Sequence, residues 1–412
     1  MSNFKIAHLS DIHAGYRSTR VTNAQGINLR EADGYIAFAK VVKEVIQEDA
    51  DCVLICGDVF HTPNPEMRTI IFVQNQLRLL AAANIPVYIL AGNHDTNDVK
   101  ADIAASRVLH DPERNIFSHV EPYVKYEVGD GIFIHLISHH MYSEQEKTMS
   151  QVKPVDDAIN IFATHGSVVD PILKISLHTE QSPREIVIPD FMFKDNRWDY
   201  ALLGHIHERG WVDNGISNTD SNDTKIFYNG SLIRRGFSDK DVPLGRGWTL
   251  WEIDSSGVFS PTIRKVSQRP QFDFPILDAS SMSLSDVSEN IVNNFEATQL
   301  NGSIFDSATA PILRQRISGI DQGKIAILNQ KNITQAAKHA LQWSIKVVSS
   351  REKTNNVVID DNLEELGDIV KIYDDWISKS STIDKVEKNM RKPVKERARQ
   401  FIEFGQDKIL ND

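Results

Sequence analysis

The stretch Cys52-Val53-Leu54-Ile55-Cys56-Gly57-Asp58-Val59-Phe60-His61 runs an apolar segment straight into a glycine, a carboxylate and then a histidine. An apolar run this short, bounded by glycine, reads as a buried strand. Alternate strand residues share a side, so Cys52 and Cys56 face the same way and read as inert core packing. The same rhythm recurs along the chain. Ile6–Leu9 leads into Ser10-Asp11-Ile12-His13, and Val87–Leu90 into Ala91-Gly92-Asn93-His94-Asp95. Ile159–Ala163 leads into Thr164-His165-Gly166, and Tyr200–Leu203 into Gly204-His205-Ile206-His207. Short buried strands alternating with helical segments predict an α/β architecture. Ligands of such sheets bind at the carboxyl ends of the strands, where these polar clusters fall.

Between the clusters, Tyr35–Glu48 spaces Ile36, Phe38, Ala39, Val42 and Ile46 for one helical face. Glu66–Ala83 carries too many apolar residues for one core-facing stripe, among them Met67, Ile70, Ile71, Phe72, Val73, Leu77, Leu79 and Leu80. It reads either as a helix buried on two sides or as a subunit interface. Asp213–Thr224 has the composition of an exposed loop, and Trp248–Ile253 and Thr262–Val266 read as strands. Composition shifts at Pro270 and Pro275. A helix over 284–298, strands over 312–317 and 344–348, and a helix over 333–341 then suggest a small α+β domain. From Asp361, Leu363, Leu366, Ile369, Val370, Tyr373 and Trp376 fall on one amphipathic face. That segment is too short for its own core. It reads as helices packed on the body or docked on a partner.

The 412 residues sum to a net charge of −11. That disfavours coating DNA by bulk positive charge, but a bound divalent cation reverses the sign locally. The two cysteines rule out a disulfide scaffold and a zinc-knuckle cluster. No apolar signal core opens the chain and no apolar run approaches the ~20 residues of a membrane span, so the expected location is the cytoplasm. There is no phosphate-binding loop of the G-x-x-x-x-G-K-[ST] kind, so no nucleotide is expected on this chain.

The five clusters combine Asp, His and Asn without a thiolate, a donor set that suits Mn²⁺, Fe²⁺ or Zn²⁺ better than Ca²⁺. Asp can bridge two cations, and glycine beside a ligand allows sharp turns and close backbone approach. At a strand end, residues i and i+2 point the same way, so D-x-H and H-x-H pairs would serve one site.

In this order and spacing the clusters resemble the signature of the calcineurin-like metallophosphoesterases. Within them the chain is similar to the SbcD-type recombination nucleases. Gly57-Asp58-Val59-Phe60-His61 lacks the Asp-Arg-Gly that protein phosphatases of the superfamily carry after Gly-Asp. Asp199-Tyr200-Ala201-Leu202-Leu203-Gly204-His205-Ile206-His207 supports the likeness, as does Tyr228-Asn229-Gly230-Ser231 followed by Arg234. Relatives commonly read Tyr-Pro-Gly-Ser there, and Asn229 still suits a turn. The likeness is strong to about residue 270 and weak beyond it.

The resemblance implies a four-layer α-β-β-α sandwich over 1–270, a capping, DNA-binding domain over 271–350 and a C-terminal helical segment over 351–412 that binds the partner. It implies one metal site of Asp11, His13, Asp58 and His207, and a second of Asp58, Asn93, His165 and His205, with Asp58 shared. The metals would be two divalent ions, Mn²⁺ first and Mg²⁺ as the alternative. His94 would stabilise the transition state or protonate the leaving oxygen. His61 would orient the phosphate or His94, and Asp95 would orient His94 or cap the following helix. His8, His110, His119, His135, His178 and His339 read as ordinary, and His139-His140 has no partner cluster at ligand spacing. Arg17, Arg20, Arg30, Arg209, Arg234, Arg235, Lys240 and Arg246 follow the metal loops. They read as phosphate contacts or as a solvated rim.

The implied activity is DNA cleavage, as a duplex 3′–5′ exonuclease and a single-strand endonuclease in recombination, repair or end processing. The implied partners are DNA, an SbcC-type coiled-coil ATPase docked on Asp361–Leu410, and a second copy joined through Glu66–Ala83 and Asp98–Leu109. No membrane is implied. The rival readings are a phosphatase or phosphodiesterase on small substrates, a DNA-end scaffold that does not cut, and a nuclease working without an ATPase.

Overall fold

The computed structural model describes residues 3–96, 104–139, 152–168, 187–188, 192–193, 198–212, 224–237, 239, 243–298 and 309–348. The chain opens β1 (Phe4–Leu9), α1 (Leu29–Gln47), β2 (Cys52–Cys56), α2 (Met67–Ala82), β3 (Val87–Leu90), β4 (Ile116–His119). β1 to β4 pair in parallel, each in register with the next. There follow β5 (Tyr123–Gly129), β6 (Ile132–Ile137), β7 (Ile159–His165), a short pair β8 (Ser167–Val168) and β9 (Val187–Ile188), then β10 (Tyr200–Gly204), β11 (Gly210–Trp211) and β12 (Lys225–Tyr228). β13 (Gly247–Ile253) returns antiparallel beside β1 and turns back through β14 (Phe259–Lys265).

Among the described residues this gives two six-stranded sheets, ordered β14-β13-β1-β2-β3-β4 and β11-β12-β10-β7-β6-β5. They face each other, as the alternation in β2 shows. Cys52, Leu54 and Cys56 pack against Ile161, Ala163 and Leu202 of the second sheet. Val53 and Ile55 point the other way, against Val41 and Val45 of α1 and Val73 and Leu77 of α2. The outer face of the second sheet, with Phe162 and Leu203, is covered by Val152, Ile188, Met192 and Trp198. The expected α/β sandwich is therefore present. Both thiols are buried, and burial raises them well above the ordinary cysteine range. Cys56 donates to the Leu202 carbonyl at 3.2 Å.

Two helices differ from what the periodicity predicts. α1 starts at Leu29, earlier than the expected Tyr35, because the Asn28 side chain accepts from the Arg30 and Glu31 amides and caps it there. Ile36, expected on its buried face, is 66% exposed. α2 buries only Thr69, Val73, Leu77 and Leu80, while Met67, Ile71 and Leu79 are exposed. It is not a helix buried on two sides.

Beyond the sandwich, β15 (Gln271–Asp278), α3 (Leu284–Ala297), β16 (Ile312–Ser318), α4 (Gln330–Ala336) and β17 (Gln342–Val347) form a three-stranded parallel sheet with two helices. α3 opens on a capping box in which Ser283 and Asp286 satisfy each other's amides. Val287, Ile291, Phe295, Leu313 and Ile333 make its own core. The Arg269 guanidinium ties it to the sandwich, donating to Asp33 through Nε and Nη2 and to the Ala310 carbonyl through Nη1. The chain divides into Met1–Val347 and Val348–Asp412. The tail expected over 351–412 lies outside the described residues, as do 213–223 of the expected loop. No helix among the described residues is long and apolar enough to cross a membrane.

Candidate metal centre

The five clusters meet where β1, β2, β3, β7 and β10 end, but strand alternation is not what aims them. β1 stops at Leu9, before Asp11 and His13. These two residues take φ of 50° and 47°, Asp58 takes 53° and His205 93°. Non-glycine residues seldom enter this left-handed region, and side chains held there cluster at functional sites. The loops brace one another: Asp11 N–H donates to Gly57 O at 3.1 Å and His13 N–H to Asp58 O at 2.9 Å. His94 N–H donates to Asp58 Oδ1 at 2.9 Å, and His205 N–H to Asp11 Oδ2 at 3.1 Å. Glycine permits close approach at Gly92 and Gly204. A Cβ on Gly92 would lie 2.2 Å from Asp58 Oδ1, and one on Gly204 would lie 1.9 Å from Cys56 O.

All seven expected ligands converge. His13 Nε2 stands 3.1 Å from His207 Nε2 and 4.0 Å from Asp11 Oδ1, and His207 Nε2 is 3.7 Å from Asp11 Oδ1. On the other side, Asn93 Oδ1 is 2.9 Å from His165 Nε2 and 3.2 Å from His205 Nδ1. Asp58 lies between the two groups. Its Oδ2 is 3.5 Å from His13 Nε2 and 3.4 Å from His165 Nε2. The ligand atoms of Asp11, His13 and His207, and those of Asp11, Asp58 and His165, each lie within 4.8 Å of one another.

Asp11 and Asp58 are 1% and 2% exposed. Two carboxylates buried side by side need positive charge between them. Burial raises the Asp11 carboxyl, and the Asp58 charge adds to the rise. Burial also raises Asp58, but the imidazoles around it, His165 foremost, outweigh that and hold it well below the usual carboxylate range. His165 is disfavoured as a cation by burial, yet Asp58 and Asp11 push it up to about 9. The site is electronegative enough to hold a proton on an imidazole. The nitrogen and oxygen donors, their burial and their negative field fit divalent metal ions.

The other two catalytic candidates sit at the rim. His94 Nδ1 donates to the His61 carbonyl at 2.7 Å, and the two rings stack at 5.3 Å between centroids. Asp95 does not orient His94. It is fully buried and accepts from the Phe60 and Gly92 amides at 3.0 Å and from Val59 at 3.3 Å, so it knits the Gly57–His61 loop to the Gly92–Asp95 loop. Burial and the nearby Asp58 raise its carboxyl to about 6. His139 donates its N–H to Ala91 O, beside that same loop, while His140 lies outside the described residues.

The arginines separate by burial. Arg20 is exposed. Arg17 is 38% exposed and paired with Glu31 at 2.7 Å and Glu66 at 2.6 Å. Arg234 is half-buried, with Nη1 at 3.4 Å from Gln271 O. Arg209 and Arg235 are 4% and 9% exposed. Arg209 spends Nε on Asn229 O at 2.8 Å, inside the protein rather than on a surface that a phosphate could reach. Arg30, at 1% exposure, and Arg246 are interior too, and Lys240 is outside the described residues. The sequence reading missed Asp239, whose Oδ1 meets His207 Nδ1 at 3.1 Å. Its only sequence signal is a carboxylate shortly after the Tyr228–Ser231 turn.

Residues 4–209 match the calcineurin-like phosphoesterase family. A protein of Sulfurisphaera tokodaii described as DNA double-strand break repair protein Mre11 is 27% identical over 272 residues, 65% of this chain and 63% of that one. The Mre11 of Sulfolobus acidocaldarius is 23% identical over 374 residues, 90% of each. The chain thus spans less than two thirds of the first relative's length and nearly all of the second's. A solved dimetal phosphatase from Danio rerio is 10% identical, covering 61% of this chain and 93% of that one at a TM-score of 0.37.

Proposed function

The chain belongs to the calcineurin-like phosphoesterase family, and from that premise we propose that it is a two-metal DNA nuclease of the SbcD type, acting in DNA repair or recombination. The observation that carries this is Asp58, whose Oδ2 stands within 3.5 Å of a nitrogen from each ligand group. Asp11, His13, Asp58 and His207 would hold one ion, and Asp58, Asn93, His165 and His205 the other. Mn²⁺ is the expected metal and Mg²⁺ the alternative. When bound, such a pair supplies an acidified water and a clamp for the attacking and leaving oxygens of a phosphodiester.

The chain's own groups do the rest. His165 donates its Nδ1–H to Cys56 O at 2.9 Å, so a metal ion would meet Nε2 in place of the proton that the site otherwise holds there. His94 is fixed the same way by His61 O, which leaves its Nε2 to meet a phosphoryl or leaving oxygen as a proton donor once charged. His61 positions His94 through that carbonyl and the ring stack. Phosphate contact is assigned to the accessible cations Arg17, Arg20 and Arg234, while Arg235 is interior and lends its positive field to His13 and His61 and Arg209 braces the fold.

The likeness to proteins named for DNA double-strand break repair supports DNA as substrate, and the resemblance of the metal loops to the SbcD-type nucleases implies an SbcC-type ATPase as partner. The exposed Met67, Ile71 and Leu79 of α2, with Val108 nearby, support a homodimer through this face. Hydrolysis of linear duplex DNA and of a simple phosphomonoester, compared with Mn²⁺ present, tests the reading. DNA cleavage is expected. Turnover of the monoester alone would replace the nuclease with a small-substrate phosphatase.

A further inference from the structure

We infer that Asp239 is a positioning residue for the metal site of Asp11, His13 and His207, and that it tunes this site independently of the other. A carboxylate only accepts, so its 3.1 Å contact fixes the His207 proton on Nδ1. The lone pair is then on Nε2, the atom 3.1 Å from His13 Nε2 and 3.7 Å from Asp11 Oδ1. Asp239 is itself held. It is 7% exposed, and its Oδ2 accepts from Arg235 N–H at 2.8 Å and lies 3.9 Å from Arg246 Nη1. Arg246 Nη1 also donates to the His207 carbonyl at 2.7 Å and to Ser231 Oγ at 2.6 Å. Ligand and carboxylate are therefore pinned to one frame, the segment after the Tyr228–Ser231 turn.

The two sites differ in this respect. His165 takes its orientation from the backbone carbonyl of Cys56, which no side-chain change removes. Among the described residues, His207 is the imidazole ligand oriented by a carboxylate. A carboxylate behind a ligating imidazole raises its basicity, and its loss typically costs 10–100-fold in metal affinity. Asp239→Asn presents either an amide oxygen or an NH₂ group, and the NH₂ would drive the His207 proton onto Nε2, the ligating atom.

The inference rests on the two-metal reading, and the test separates the two. Mn²⁺ binding to the full chain is measured by calorimetry and by electron paramagnetic resonance, without DNA. Wild type should bind two ions with the magnetic coupling of a close pair. Asp239→Asn should keep one affinity unchanged and weaken the other about 10–100-fold, with the coupling lost at low Mn²⁺. Asp239→Glu should recover much of the lost affinity. Two unchanged affinities in Asp239→Asn overturn the inference. So does an equal weakening of both sites that Asp239→Glu fails to restore, since that marks a general structural role. If wild type binds no pair of ions, the two-metal reading falls first and takes the inference with it.

Discussion

Gly92→Ala puts a methyl group where the structure has no room for one. The new Cβ would stand 2.2 Å from Asp58 Oδ1 and 2.5 Å from Asp58 N, against an ordinary contact of 3.4 Å or more. Neither neighbour is the free end of a flexible side chain, so the carboxylate or the Gly92–Asp95 loop must move by about 1 Å. Either shift breaks the His94 N–H bond to Asp58 Oδ1 and draws Asp58 out of its place between His13 and His165. Overpacking of this kind costs about 1–3 kcal/mol. A misplacement of ~1 Å costs on the order of 10²-fold in rate. The assay is Mn²⁺-dependent hydrolysis of bis(4-nitrophenyl) phosphate, with bound metal counted and the thermal midpoint recorded. Gly210→Ala is the control, because a Cβ there meets nothing within 4 Å and φ is not positive. Wild-type turnover with both ions bound in Gly92→Ala would refute the placement of Asp58 as the shared ligand. An equal loss in the control would refute the steric reasoning.

His94→Ala should keep the fold and both metals while losing about 10²–10⁴-fold in cleavage. An unchanged rate removes His94 from the chemistry. Met67→Glu with Ile71→Glu should turn a dimer into a monomer by sedimentation with little change in thermal midpoint, whereas a wild type that is already monomeric contradicts the α2 interface. Burial lowers His135 from 6.5 to about 4, so between those values the unfolded chain takes up protons that the folded chain refuses. Its stability contribution is then intact above pH 6.5 and is lost as pH falls towards 4. From pH 7 to pH 5 the loss should be about 2 kcal/mol. His135→Gln should remove that much of the slope in urea titrations, and an unaltered slope would show that His135 is not held neutral.

The alternation of apolar runs and polar clusters was legible because a buried strand cannot hide its composition, and β1, β2, β3, β7 and β10 lie where those runs do. The seven expected ligands converge for the same reason: each lies at or just past the carboxyl end of a strand, all on one side of the sandwich. How they are aimed was not legible. Left-handed backbone at Asp11, His13, Asp58 and His205 comes from bonds between loops far apart in sequence, and no local pattern reports it. Asp239 was missed on similar grounds, since its partner His207 is 32 residues away. Arg209 and Arg235 read as surface cations because arginine usually is one. Only the packing of the sheets and of the Tyr228–Ser231 turn shows them interior. The apolar excess of Glu66–Ala83 was visible, and the burial of α1 and α2 decided which part faces out.

Two ions held across Asp58 would supply the water that attacks a DNA phosphodiester. Cleavage of linear duplex DNA as Mn²⁺ is titrated, in wild type and in Asp58→Asn side by side, tests this most directly. The expected result is cleavage that needs Mn²⁺, rises with occupancy of the second ion and vanishes in Asp58→Asn together with the ion pair. Cleavage that persists in chelator, or that survives in Asp58→Asn, would contradict it.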